Sequence, residues 1–228
     1  GHRPRGASAN GTNHGRPSMS NERRNLDEGF ELRSADGGGI TAVGYAAVFD
    51  SPTNIGGFTE SVGRSAFDKT IQETDVLGLF NHEMDMLLGR SSSGTLRLNK
   101  DDRGLGYEID LPDTQLGRDV GVLLGRGDLK GSSFGFRVIK DDWTGTHRVL
   151  QEVALRDVGP VTVPAYQDTS AALRSLAADH SIDIDELAAA AAAGELEARI
   201  CSDNNGDEEA DSAMQAEPLL VVRHRFIR

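Results

Sequence analysis

A mostly β domain with a few flanking helices, an α+β arrangement, is the fold class this sequence predicts, set between a leader and a tail of different composition. Three observations predict it. Across residues 40–166, short runs of β-branched, aromatic and alternating residues recur between Gly, Pro, Asp and Asn turns. Two stretches in that span show helical spacing behind a capping residue, one after Ser65 and one after Asp113 or Thr114. Outside it, residues 1–18 carry almost no apolar side chains, and the residues beyond 176 turn to alanine and acid. The expected division is a disordered leader over 1–38, a folded domain over 39–175, and a flexible helical and acidic tail over 176–228.

Taken in order, the leader lacks the means to bury a core, and Met19 reads as a start within it. Residues 40–49 (ITAVGYAAVF) read as a strand, with Gly44 marking a bulge or close approach. A turn over 50–54 leads to a short strand at 57–62, and Ser65 caps a helix over 66–73 with Phe67, Thr70 and Ile71 at helical spacing. Residues 75–81 return to strand and deliver His82 at its end. Residues 95–99 and 104–111 alternate and form a hairpin across Lys100-Asp101-Asp102-Arg103. The next helix carries Leu116, Val120, Leu123 and Leu124 on one face and stops at Gly125-Arg126-Gly127-Asp128.

A strand follows from Lys130, and after a turn near Trp143 a second one runs from His147 past Asp157 into Val158-Gly159-Pro160. Beyond it come a short helix over 171–176 and an alanine-rich one over 182–200, whose face offers no bulky stripe for docking. An acidic linker over 203–211 and the apolar, basic PLLVVRHRFIR end the chain.

Composition narrows the function. A net charge of -12 argues against nucleic-acid binding, which needs a basic surface, and suits a basic peptide partner better. No apolar run reaches the ~18 residues a membrane span needs, and no secretory signal opens the chain, so it reads as soluble and intracellular. The single cysteine, Cys201, leaves no internal disulfide and no multi-cysteine zinc site. It lies beside acid, which raises a thiol pKa and speaks against a nucleophile.

The chemistry concentrates at Gly131-Ser132-Ser133-Phe134-Gly135-Phe136. Strand parity sends Ser132, Phe134, Phe136 and Val138 to a core and leaves Ser133 on the opposite face between glycines, where another chain can approach closely. The stretch satisfies G-x-S-x-G, a pattern short enough to arise in an ordinary surface turn, so a base and an acid must be found elsewhere. Of six histidines only His82 and His147 fall inside the domain. His147 follows a Gly-Thr turn and reads as solvent-exposed, whereas His82 ends an apolar strand, where side chains commonly line sites.

For the acid, alternation over 152–157 puts Asp157 on the apolar face with Val153 and Leu155. A carboxylate there is costly unless paired, and a histidine N–H would pair it. Glu152, on the face of Arg156, is the competitor. His82, Glu83 and Asp85 cluster without a second histidine or a cysteine, so neither a metal nor any other cofactor is expected.

The order His82, Ser133, Asp157 is joined by Gly44-Tyr45-Ala46-Ala47-Val48-Phe49, Phe80-Asn81-His82-Glu83 and Pro164-Ala165-Tyr166. Together these motifs, spread over residues 30–175, resemble the prohead proteases of tailed bacteriophages. The resemblance implies a fold similar to the herpesvirus capsid-maturation proteases, a small closed antiparallel β-barrel surrounded by helices. It also implies a serine endopeptidase that cleaves the scaffold, or the scaffolding segment of the major capsid protein, and often itself. That cleavage takes place inside the assembling prohead in the host cytoplasm, and homo-oligomerisation is left open. His82 falls on the family's histidine, Ser133 on its nucleophile, and Asp157 where an acidic residue, commonly glutamate followed by Val-Ser, stands. Here Val158-Gly159 follows, a departure at the third member. A hydrolase elbow of the α/β type does not fit, since Ser133 precedes a strand. A non-catalytic scaffolding protein and an esterase with the same triad are the alternatives.

Overall fold

Among the described residues, inward alternation along eleven strands builds two sheets that face each other across one apolar core. The computed structural model describes residues 20–27, 29–34, 38–55, 57–162 and 169–201. Strands β1 (Glu22–Asp27), β2 (Glu31–Ser34), β3 (Ile40–Val48), β4 (Thr53–Asn54) and β5 (Thr59–Val62) come first, then the single-turn helix α1 (Thr70–Glu73). β6 (Leu77–Leu79), β7 (Leu87–Arg90), β8 (Leu96–Lys100) and β9 (Gly104–Leu111) lead to α2 (Gln115–Arg126). A long hairpin, β10 (Gly131–Thr144) and β11 (His147–Val161), precedes α3 (Thr169–His180) and α4 (Ile184–Ala193). No helix among the described residues is long and apolar enough to cross a membrane.

The smaller sheet has the order β2-β3-β9-β8 and is antiparallel throughout. The larger runs β1-β10-β11-β5-β4, with β6 beside the far half of β11 and β7 beside β6. Leu105, Tyr107 and Ile109 from β9 meet Phe134, Phe136 and Val138 from β10, and all six are buried. Phe134 stacks on Phe136 with ring centroids 4.9 Å apart and meets Phe67 edge-on at 5.7 Å, geometries that aromatic quadrupoles favour. Thr114 caps α2 by accepting from the Gly117 N–H at 3.2 Å, and Gly127, with φ +75°, ends it. Val120 and Leu124 form its buried stripe.

Four expectations change. The closed antiparallel barrel is replaced by two open sheets: β3 runs close to β1 and β10, yet among the described residues a single isolated bridge, Phe49 to Val62, is all that joins the sheets. β11 is the physical reason, since its fifteen residues serve two short partners, β5 and β6, both parallel to it. The segment expected as leader contributes β1, paired with β10 over six residues, and β2, paired with β3. Its polar composition hid a strand whose inward residues are charged and paired.

The tail is not separate either. α3, α4 and a helical stretch over 196–201 bury Leu173, Leu176, Ile182, Leu187, Leu196 and Ile200 against Ile55 and Phe58. A boundary at 175/176 would cut through α3. The alanine-rich helix breaks at Gly194, φ +77°, which turns its few large residues onto one surface. Finally, the helix expected after Ser65 shrinks to α1, because the Ala66 carbonyl, which a helix would offer to the Thr70 N–H, accepts from the Val153 N–H of the sheet instead. The expectations for residues 1–18, Pro164-Ala165-Tyr166, the acidic linker 203–211 and the C-terminal 218–228 lie outside the described residues.

Candidate active site

Two neighbouring strands, β10 and β11, and the turn that follows β6 carry the three residues that the sequence singles out. Ser133 sits on β10 with Gly159 of β11 opposite it, and Asp157 of β11 lies opposite Gly135. On the other side of β11, Leu77 and Gly78 of β6 pair with Asp157 and Val158, so the chain leaves β6 close to that carboxylate. It then turns through two consecutive left-handed residues, Asn81 (φ +54°) and His82 (φ +61°). Asparagine and histidine tolerate that region better than most residues, but two in a row hold strain that the surroundings must fix. Asn81 supplies the fixing: its N–H donates to the Pro160 carbonyl (3.0 Å), its Oδ1 accepts from the Thr162 N–H (2.8 Å), and its Nδ2 donates to Thr162 Oγ1 (3.0 Å).

The result is a chain of hydrogen bonds. His82 Nδ1 bonds Asp157 Oδ1, and His82 Nε2 lies 2.6 Å from Ser133 Oγ. An ionised carboxylate only accepts, so Nδ1 carries the proton and Nε2 accepts from the serine hydroxyl. Ser133 Oγ also lies 2.9 Å from the Arg24 carbonyl, a second acceptor for its single proton. When Nε2 is protonated it donates to Oγ, and the hydroxyl turns to Arg24 instead.

Asp157 reaches this face by a route that alternation does not foresee. Phe136 pairs with Leu155 while Gly135 pairs with Asp157, so Arg156 is an extra residue, a bulge. In an unbroken strand Asp157 would share the core face of Leu155, away from Ser133. The bulge reverses its parity, so Asp157 stands on the face of Ser133 and not on the apolar face that alternation predicts. Gly135 completes the geometry, because a Cβ there would stand 2.5 Å from Asp157 Oδ2. At Gly159 a Cβ would run into the Leu79 carbonyl, so its absence lets β6 close up.

The competing residues are elsewhere. Ser132 is buried on the opposite face, with its Oγ 2.9 Å from the Tyr107 hydroxyl, and burial pushes that phenol well above its usual pKa. Glu152 faces Lys69 at 3.5 Å and pairs with Lys140, not with the histidine. His147 is half-buried rather than exposed, its ring nitrogens 2.9 Å from Thr59 Oγ1 and 3.1 Å from Ser61 Oγ. Cys201 lies in the helical stretch over 196–201.

Sequence reasoning missed a buried ionic network beside the site. Arg24 of β1 donates to Glu60 (2.6 and 2.8 Å) and to Glu22 (2.5 Å), while Arg148 reaches Asp141 (2.7 Å), Glu60 (3.2 Å) and Glu22 (3.2 Å). Burial works against the Glu22 carboxylate, but Arg148 and Arg24 outweigh it and hold its pKa below the ordinary value. Burial likewise opposes the Arg24 charge, and Glu60 and Glu22 more than offset that. The available signal was the alternation of Glu22 and Arg24 in a polar stretch, opposite charges two apart on one strand face.

A hydroxyl bonded to an imidazole whose far nitrogen is held by a carboxylate can surrender its proton while attacking a carbonyl carbon. Known proteins resemble this chain. The sequence profile of a family described as caudovirus prohead serine protease matches residues 28–182. The prohead protease of Enterobacteria phage HK97 is 30% identical over 141 residues, spanning 58% of this chain and 60% of that protein's length. The structure of the bacteriophage T4 capsid assembly protease, gp21, aligns with a TM-score of 0.47 and 11% identity, covering 65% of this chain and 99% of that one.

Proposed function

This chain belongs to the caudovirus prohead serine protease family, and from that premise we propose that it is a prohead maturation endopeptidase with Ser133 as nucleophile, His82 as base and Asp157 as orienting acid. The observation that carries the reading is the unbroken line of hydrogen bonds from Ser133 Oγ through His82 to Asp157 on one sheet face. In the proposed reaction Oγ attacks the scissile carbonyl carbon while His82 Nε2 takes its proton. Asp157 accepts from Nδ1–H and stabilises the imidazolium that results. His82 then protonates the leaving amine, and a water activated by the same nitrogen hydrolyses the acyl-enzyme. Nucleophile, base and acid are all side chains of this chain, so no cofactor enters the scheme.

The proposed substrates are the scaffold, or the scaffolding segment of the major capsid protein, and the protease itself, inside the assembling prohead in the host cytoplasm. The likeness in fold to herpesvirus capsid-maturation proteases belongs to the same proposal, without a closed barrel, and its test is superposition of the two-sheet core on such an enzyme. The catalytic unit proposed here takes in β1, α3 and α4 as well as the strands around the site. Co-expression with the phage's major capsid protein tests the function. Wild type and Ser132→Ala should shorten the capsid protein, and Ser133→Ala should leave it full length. Shortening by Ser133→Ala equal to that by wild type would refute the assignment.

A further inference from the structure

Ser133 has 0% exposed surface, and what lies over it is β1. Asn25 stands directly opposite Ser133 in the ladder, Arg24 opposite Phe134, and the Arg24 carbonyl lies 2.9 Å from Ser133 Oγ. An endopeptidase must receive its substrate as an extended segment with one carbonyl brought to the nucleophile. The Arg24–Asn25 peptide unit already occupies that position. Among the described residues β1 is also the terminal strand of its sheet, so without it β10 would present a row of unpaired backbone groups to a peptide. Gly29, with φ +74° and nothing near its Cβ position, lies just past the end of β1 and supplies a pivot.

We propose that β1 sits in the place of the substrate strand, and that peptide substrates bind by adding to the β10 edge in its stead. With β1 seated, the enzyme is closed. This rests on the reading of Ser133 as nucleophile.

The side chains beneath β1 state what the incoming peptide should carry. Removing β1 takes Arg24 from Glu60 and Glu22 from Arg148. The net charge left behind is unchanged, since a cation and an anion leave together, but Glu60 loses its two-pronged partner at 2.6 and 2.8 Å and keeps only Arg148 at 3.2 Å, which it shares with Asp141. A buried carboxylate that loses its nearest cation is disfavoured. The replacing strand therefore carries a basic side chain where Arg24 lies, on the acyl side of the bond to be cut.

Peptidyl diphenyl phosphonates, extended peptides whose phosphorus takes the place of the scissile carbonyl, test this on the full chain. Ser133 Oγ displaces phenoxide at phosphorus, His82 takes the hydroxyl proton, and phenol leaves. The expected results are adduct formation at least tenfold faster with an arginine analogue beside phosphorus than with an alanine analogue, and at least tenfold faster in Leu26→Pro, which removes a backbone N–H from the β1–β10 ladder opposite Ser132. Hydrogen exchange of the wild-type adduct should show residues 22–27 at least tenfold less protected than in the free enzyme. That measurement needs no variant and decides the matter if Leu26→Pro fails to fold. An adduct on Ser133 with β1 still protected overturns the displacement while leaving the triad intact. Equal rates for the two probes overturn the basic-residue recognition. No adduct on Ser133 in either folded protein overturns the proposed function and this inference with it.

Discussion

Replacing Gly135 by alanine should disable the site while leaving the fold in place. A Cβ at that position would stand 2.5 Å from Asp157 Oδ2 and 3.2 Å from Oδ1, against an ordinary contact of at least 3.4 Å. The nearer oxygen must therefore retreat by roughly 0.9 Å, a displacement of the size that costs about 100-fold when it misplaces a catalytic group. The carboxylate is the far end of a rotatable side chain, half-buried, so it can swing away without disturbing Phe134 or Leu155 beneath. Its loss from His82 removes the tautomer control that, in serine hydrolases generally, is worth up to about 10⁴ in rate. The expected fall in kcat/KM is about 10²–10⁴-fold, on the order of 3–5 kcal/mol of transition-state stabilisation. Alanine in place of a strand glycine recovers about 0.5–1 kcal/mol of chain entropy, so the thermal midpoint should stay within a few degrees. The assay pairs peptide hydrolysis with thermal unfolding on one preparation. Activity within threefold of wild type would refute the view that Asp157 orients His82. A collapsed midpoint would show instead that Gly135 is needed for the strand itself.

Three further outcomes are expected. Glu22 has its carboxyl held below the ordinary value of 4.5, so its stabilising contribution is present above that pH and is lost as pH falls below it; urea midpoints between pH 6 and 3 should fall more steeply in wild type than in Glu22→Gln. Asn81→Ala, which removes two bonds to Thr162 from a left-handed residue, should lower kcat about 10- to 100-fold with KM little changed, as steady-state kinetics on a peptide will show. Leu196→Ala should cost about 2–4 kcal/mol in denaturant titration, since Leu196 is fully buried between the helices and the sheet, whereas a detached tail would give a change near zero.

Much of the site was readable from local pattern. Ser133 between Gly131 and Gly135, out of phase with Phe134 and Phe136, needs only strand parity to appear on its own face, and the structure keeps that parity. His82 at the end of an apolar run, the β8–β9 hairpin and the Thr114 cap are likewise set within a few residues of chain. What escaped depends on distant partners. The bulge at Arg156 inverts the parity of Asp157, so alternation alone assigns it the wrong face, and only pairing with β10 and β6 reveals the right one. β1 looked like solvated leader because its inward residues are Glu22 and Arg24, whose partners Glu60 and Arg148 lie far along the chain. The helices after 169 looked undockable because their apolar surface is assembled from Leu187, Leu196 and Ile200 across the break at Gly194.

The measurement that bears most directly on the central claim is the mapping of a small fluorophosphonate adduct by mass spectrometry after exhaustive labelling. The reagent loses fluoride to an activated serine oxygen and, given time, waits for any movement of β1. The account predicts one adduct, on Ser133, which is absent in Ser133→Ala, slowed at least 100-fold in His82→Ala, and unaffected in Ser132→Ala. An adduct on a different serine, or labelling of Ser133 at the same rate in His82→Ala as in wild type, would contradict it.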